Sequence, residues 1–247
     1  MRAISENGGD WQAGAIQAHG HMQLFGWGGL MVLGIGLHFL PRLMSVSVVR
    51  SRLAWFVLGI LSAGLVLRAI AEPILSATPS GHPRTCATMG LVLSATLELI
   101  GVAIAVWLIG SFFRQWRSGS RSAPSPGVAA LIAIAFTSLI AAMLVNLIGA
   151  VETSTKSTSI IPFWADDSSV MLGLVGFLTS ISLAMSARLF PLYVQTWLPR
   201  ERWLRLAALM MLAALVAKTV GISAGKPSID GAGEILLSGA LALAIVA

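Results

Sequence analysis

The sequence predicts an all-α protein, a polytopic transmembrane helical bundle of about seven helices with its N-terminus outside. Three observations carry this. Hydrophobic residues make up 56% of the 247 positions and charged residues only 11%, with a mean hydropathy of +0.86, whereas soluble domains carry about 25% charged residues. Apolar runs of membrane length recur along the whole chain; a helix needs about 20 such residues to cross the hydrocarbon core. Finally, basic loops alternate with neutral or acidic ones, as the positive-inside rule requires of a multi-pass protein.

The expected spans are 21–40, 53–72, 89–113, 127–150, 169–191, 203–222 and 233–247. Residues 1–20 are polar and lack the apolar core of a cleavable signal peptide, so they are expected to form an outer segment ahead of a bundle over 21–247. The loop after the first span carries Arg42, Arg50 and Arg52, the loop after the third carries Arg114, Arg117 and Arg121, and the loop after the fifth carries Arg200, Arg202 and Arg205. Between them, 73–88 has only Arg84, 151–168 has Glu152, Lys156, Asp166 and Asp167, and 223–232 has Lys226 and Asp230. This alternation puts the arginine-rich loops in the cytoplasm. The last run is short for a span and ends without a charged or aromatic stop, which suggests that the chain is the N-terminal part of a longer protein. The net charge of +6 reads as a topology signal rather than a nucleic-acid footprint. A single cysteine, Cys86, excludes an internal disulfide and any CxxC motif.

A parallel repeat is expected at an offset of 150 residues. That shift sets His38-Phe-Leu-Pro41 on Arg188-Leu-Phe-Pro191, Gly26 on Gly176, Arg52 on Arg202 and Leu65-Val-Leu-Arg68 on Leu215-Val-Ala-Lys218. The halves would be 19–113 and 169–247. The second copy has Ser169 and Met171 where the first has His19 and His21.

Those two histidines are the first candidates for chemistry. Imidazole is a poor group to set against lipid and a common ligand for heme iron or copper. In a helix, residues two apart point about 200° from each other, so both could converge only if the helix begins at or just after them. Gln23 lies four residues beyond His19, on its face. The other reading is a pair of interfacial histidines in contact with water. His38 is about 25 Å of helix rise from His21 and cannot share a mononuclear site with it. It serves either a second site or the headgroup region beside Arg42, and its repeat partner Arg188 marks the same place in the second copy.

Arg68 and Lys218 lie inside apolar runs, where a charge must pair or snorkel. Glu72, four residues beyond Arg68, offers a local partner; a heme propionate or another anion is the alternative. Glu98 is the deepest acid, about 13 Å below the outer surface, and is expected either to carry protons or to pair with Arg68. Asn146 is expected to hydrogen-bond between helices. Asp166 and Asp167 are expected to cap the fifth helix. Glycines 26, 28, 29, 34 and 36 would let a neighbouring helix or a flat macrocycle approach the first span.

The pattern His19-x-His21-x-Gln23-Leu-Phe-Gly-Trp27, followed by a glycine-rich helix and His38-Phe-Leu-Pro-Arg42, resembles the NnrS-like family of bacterial membrane proteins. It is more distantly similar to heme–copper oxidase catalytic subunits. The likeness is specific over 18–42 and weaker over 166–192. It implies a bacterial inner-membrane protein that binds heme or copper and takes part in the response to nitric oxide or another reactive nitrogen species. His19 and His21 would be the ligands and His38 a conditional third; the cofactor-binding role of Arg68 rests on its charge, buried in an apolar run, and not on the resemblance. No CxxCH motif is present, so a heme would be held noncovalently. The chain departs from the oxidase pattern in lacking further histidines for a heme-plus-copper centre. It also lacks a phosphate loop, a serine nucleophile elbow and HExxH, and no residue identifies itself as catalytic. A transporter, or a structural membrane subunit without a redox cofactor, is the competing expectation; the bilayer is the partner common to all three.

Overall fold

The computed structural model describes residues 11–43, 51–78, 80–119, 125–195 and 200–246. Arg50 and Arg121 of the basic loops, the whole polar segment before Trp11 and the last residue lie outside this description, as do the side chains of Arg42 and Arg117. Among the described residues the elements are all helical. They run α1 (Trp11–His21), π1 (Met22–Gly29), α2 (Leu30–Leu43), α3 (Ser51–Ala77), α4 (His82–Gly119), α5 (Pro126–Lys156), α6 (Phe163–Met171), π2 (Leu172–Thr179), α7 (Ser180–Val194), α8 (Glu201–Ala224) and α9 (Pro227–Val246). Among the described residues six helices are long and apolar enough to cross a membrane: 52–77, 82–114, 126–156, 163–191, 201–224 and 227–245. The chain is a multi-pass membrane protein.

Each expected span falls on one helical run, but the helices extend past the apolar cores. The first begins at Trp11, ten residues before the expected start at 21, because Trp11–His21 packs against α3 despite its polar composition. The fifth begins at Phe163, so Asp166 and Asp167 lie within its first turns and do not cap it; the Pro162 carbonyl instead accepts from the Ala165 and Asp166 N–H groups. Two acids there still favour the positive end of the helix dipole. The last helix begins at Pro227, not 233, and reaches spanning length. Proline suits a first helical turn, and Gly225 ends the preceding helix with φ +61°, the left-handed conformation that glycine adopts without steric cost.

The fold divides into two compact units: residues 1–119 with 143–166, and residues 120–142 with 167–247. In the first, α3 packs along α4, and α1 lies against α3. Its apolar core joins Ala71, Leu75, Leu91, Ala95, Ala150 and Ile161. The helices approach at glycine: a Cβ on Gly64 would lie 2.9 Å from Glu98 Cγ and 3.1 Å from the Ser94 carbonyl oxygen. In the second unit, α8 packs along α9, around Val128, Leu131, Ala184, Leu204, Met211 and Leu215.

The 150-residue offset reappears in the backbone. The π-helical stretches are 22–29 and 172–179, α2 and α7 begin at 30 and 180, and α3 and α8 begin at 51 and 201. The offset is not kept at the outer starts, where α1 begins at 11 and α6 at 163, nor at the next helix, where α4 begins at 82 and α9 at 227. In π1 the Leu30 N–H donates to the Phe25 carbonyl, five residues back. In π2 the Thr179 hydroxyl donates to the Leu174 carbonyl at 3.0 Å, again five back. Such stretches are rare and usually a single turn; here two lie 150 residues apart.

The Gly64 crossing yields a direct test. Gly64→Val is expected to lower stability by about 1–3 kcal/mol through overpacking. Gly59→Ala on the same helix, where an added Cβ meets nothing within 4 Å, is expected to be neutral or slightly stabilising. Denaturant unfolding in detergent micelles separates the two.

Candidate functional site

The first unit holds a group of polar side chains that are almost wholly withdrawn from the surface. His21 is 3% exposed, Arg68 1%, Glu72 0%, Glu98 1% and Asn146 2%. Four elements supply them: α1 gives His21, α3 gives Arg68 and Glu72, α4 gives Glu98, and α5 gives Asn146. Their burial follows from helix phase. Gly14, Ala18, His21 and Phe25 fall at spacings of four, three and four, one inward stripe. His19 falls outside that stripe and is exposed, as are Gln23 and His38.

His21 Nε2 lies 2.6 Å from Glu98 Oε2, a hydrogen bond in which imidazole and carboxylate hold one proton between them. The Ser94 hydroxyl donates to the other Glu98 oxygen at 3.5 Å. The His21 ring also packs on Phe25, with centroids 4.6 Å apart. Arg68 Nε donates to Glu72 Oε2 at 3.0 Å, the i,i+4 pair that the spacing suggested. A second guanidinium nitrogen, Nη1, donates to Asn146 Oδ1. The buried polar side chains thus form two hydrogen-bonded sets, His21–Glu98–Ser94 and Arg68–Glu72–Asn146.

Neighbouring contacts hold the frame. Gln17 makes a two-bond clamp: its amide nitrogen donates to the Ile161 carbonyl at 3.1 Å, and the Ile161 N–H donates to its amide oxygen at 3.2 Å. The Ser76 hydroxyl donates to the Glu72 carbonyl at 3.1 Å. It stands where a Cβ on Gly14 would intrude, which brings α1 close to α3. Arg84 ties the start of α4 to the Thr78, Ser157 and Thr158 carbonyls.

The structure thus sorts the sequence candidates. Glu98 takes His21 rather than Arg68, and Arg68 takes Glu72 and Asn146, so two of its donor positions are committed within the protein. Asn146 does bond between helices. His19 and His21 stand within one continuous helical run that starts at Trp11, so the condition for their convergence is not met; one is exposed and the other buried. His38 and Arg188, also exposed, belong to α2 and α7 and not to the cluster. In the second unit Lys218 does not simply snorkel. It pairs with Asp230 Oδ1 at 2.8 Å and Glu234 Oε1 at 3.1 Å on α9. Gln17 escaped sequence reasoning because it sits in a polar stretch with no helical signature, and the His21–Glu98 pair because 77 residues separate them.

Among the described residues no three His, Cys, Asp or Glu side chains lie close enough together to hold a metal ion. The cluster can instead store and orient charge in a low-dielectric interior. Arg68→Met, which strands Glu72 without its cation, is expected to cost about 3–5 kcal/mol, and adding Glu72→Leu to recover much of it. A double-mutant cycle in detergent would measure that coupling. No family model matches the chain, and neither a curated protein nor a solved structure shows significant similarity to it.

Proposed function

We propose that this protein is a multi-pass protein of the bacterial inner membrane, N-terminus outside, that holds heme or copper through helix-1 imidazole and serves in the response to nitric oxide or another reactive nitrogen species. The resemblance of residues 18–42 to NnrS-like proteins motivates this reading. The single observation that supports it is the state of His19. Its ring is exposed, it forms no hydrogen bond or ion pair with another described residue, and Gly20 beside it has open space above it, with nothing within 4 Å of an added Cβ.

These residues fit one imidazole ligand better than a joined pair. His19 is the ligand in this reading, with Gln23 one turn on. His21 has its Nε2 committed to Glu98, which leaves Nδ1 as its only further donor position; carboxylate-bound histidine is a common way of orienting a metal ligand. When bound, heme or copper would supply the centre that nitric oxide reaches. The chain itself supplies the imidazole and the helix that carries it.

The deciding measurement is a reduced-minus-oxidised absorption spectrum with metal analysis on detergent-purified protein and its His19→Ala variant. A Soret band or stoichiometric copper that disappears in the variant is expected. A folded, cofactor-supplemented preparation with neither would sink the proposal. The cluster around Arg68 and Glu98 favours one other reading, a transporter or structural subunit without a redox cofactor, since ionisable groups inside spans commonly mark ion or proton pathways. Solute- or proton-driven uptake into proteoliposomes that is lost in Glu98→Gln, in material free of heme and copper, would select it.

A further inference from the structure

Arg202 heads one outward face of α8. Residues 202, 206, 209, 213, 216 and 220 recur at intervals of four, three, four, three and four, so they share one side of the helix, and all six are exposed. Below the arginine that side is apolar throughout: Leu206, Leu209, Ala213, Val216 and Val220. The opposite side, with Leu204, Met211 and Leu215, is buried in the core of the second unit. The first unit shows the same pattern 150 residues earlier. Arg52 heads an exposed side of α3 at the same intervals, above Phe56, Gly59, Ala63, Val66 and Ile70, while Val57, Leu61 and Leu65 are buried.

The cation at the head of each face has no carboxylate of its own. Glu201, the one acid in 200–206, is already engaged: its Oε1 accepts from the Gly127 N–H at 2.6 Å and pairs with Arg205 Nε at 3.2 Å. Neither Arg52 nor Arg202 forms an ion pair with another described residue. The Arg202 guanidinium lies 5.2 Å from the centroid of the Trp203 ring. Such stacking steadies the side chain and leaves its in-plane N–H fork open, and that fork suits a phosphate group. The apolar spans begin at 52 in α3 and at 201 in α8, so both arginines stand where hydrocarbon meets headgroups. Helical side chains lean toward the N-terminus, which here is the headgroup side.

Each face thus has the polarity of one lipid, a phosphate-binding cation at the boundary and apolar surface beneath it. From 206 to 220 the apolar part rises about 21 Å, enough to line an acyl chain across one leaflet of a core about 30 Å thick. A free phosphate or an acidic soluble protein would use the arginine alone. A zwitterionic lipid would bring its own cation to an end of α8 that already holds Arg200, Arg202 and Arg205. An anionic phospholipid answers both parts. We propose that the outward faces of α3 and α8 are each a binding site for an anionic phospholipid, with its phosphate on Arg52 or Arg202 and an acyl chain along the apolar stripe. Neither site depends on whether His19 holds a cofactor.

Photo-crosslinking of the full chain in phosphatidylcholine nanodiscs tests this. The probes are phosphatidylglycerol and phosphatidylcholine with a diazirine in one acyl chain, and adducts are mapped by mass spectrometry. The phosphatidylglycerol probe is expected to label the two stripes about fivefold more than the phosphatidylcholine probe does. Arg202→Gln is expected to remove most of that excess from α8 and leave it on α3, and Arg52→Gln to do the reverse, so each variant's untouched site reports that it has folded. Equal labelling by the two probes in the wild type overturns the proposal, whether or not the variants fold. An excess spread evenly over every lipid-exposed helix overturns it too, since net charge alone would produce that. So does an excess on α8 that survives in folded Arg202→Gln.

Discussion

The guanidinium of Arg68 is the constraint on which the first unit depends. A permanent charge in the interior of a membrane protein must be matched by nearby acceptors or expelled to the interface. Here it is matched. Glu72 comes from the same helix, one turn on, and Asn146 comes from α5. The need to neutralise one side chain therefore fixes the rotation of α3 and the depth of α5. The second acid, Glu98, turns to His21 and thereby fixes the rotation of α1 against α4. Apolar packing could hold these helices at several rotations about their axes. Hydrogen bonds between particular atoms select one.

Close approach is the complementary requirement. Polar side chains bond across helices only if the backbones come near enough, and the positions that let them do so are small. Gly64 sits against Glu98 and Ser94, and Gly14 against Ser76 and the Glu72 carbonyl. The glycines and the charged residues act together: one class sets distance, the other sets register. The second unit uses the same combination, with Gly233 against Lys218 and Gly221 against Asp230, around a cation that pairs with the following helix instead of its own.

Much of the architecture was legible in the sequence because hydropathy and loop charge are one-dimensional signals. All seven runs were located, and the Arg68–Glu72 pair followed from i,i+4 spacing. Helix ends were less legible. Trp11–His21 is polar enough to resemble a solvated segment, and only its packing on α3 makes it helix. The partners of Glu98 and Asn146 were hidden for a different reason. Pairs 77 and 78 residues apart depend on how helices rotate, and that rotation is set jointly by glycines and charges no single segment reveals. The divergence of His19 and His21 needed only one further fact, that the helix is already running when it reaches them.

The two π-helical stretches carry a consequence about the order in which structure and chemistry are specified. Residues 22–29 follow an imidazole-bearing turn, whereas residues 172–179 follow a turn with Ser169 and Met171 in those places. The widened coil is thus present with and without the histidines. It owes its existence to the apolar, glycine-containing sequence and not to anything an imidazole grips. The irregular turn is a frame already in place, on which one copy mounts titratable groups and the other leaves the mounting bare. Removing a single residue from either stretch would be absorbed as five-back bonds tighten to four-back ones, with the helix beyond kept nearly in phase, so the frame is also the part of each copy best able to take up a one-residue loss.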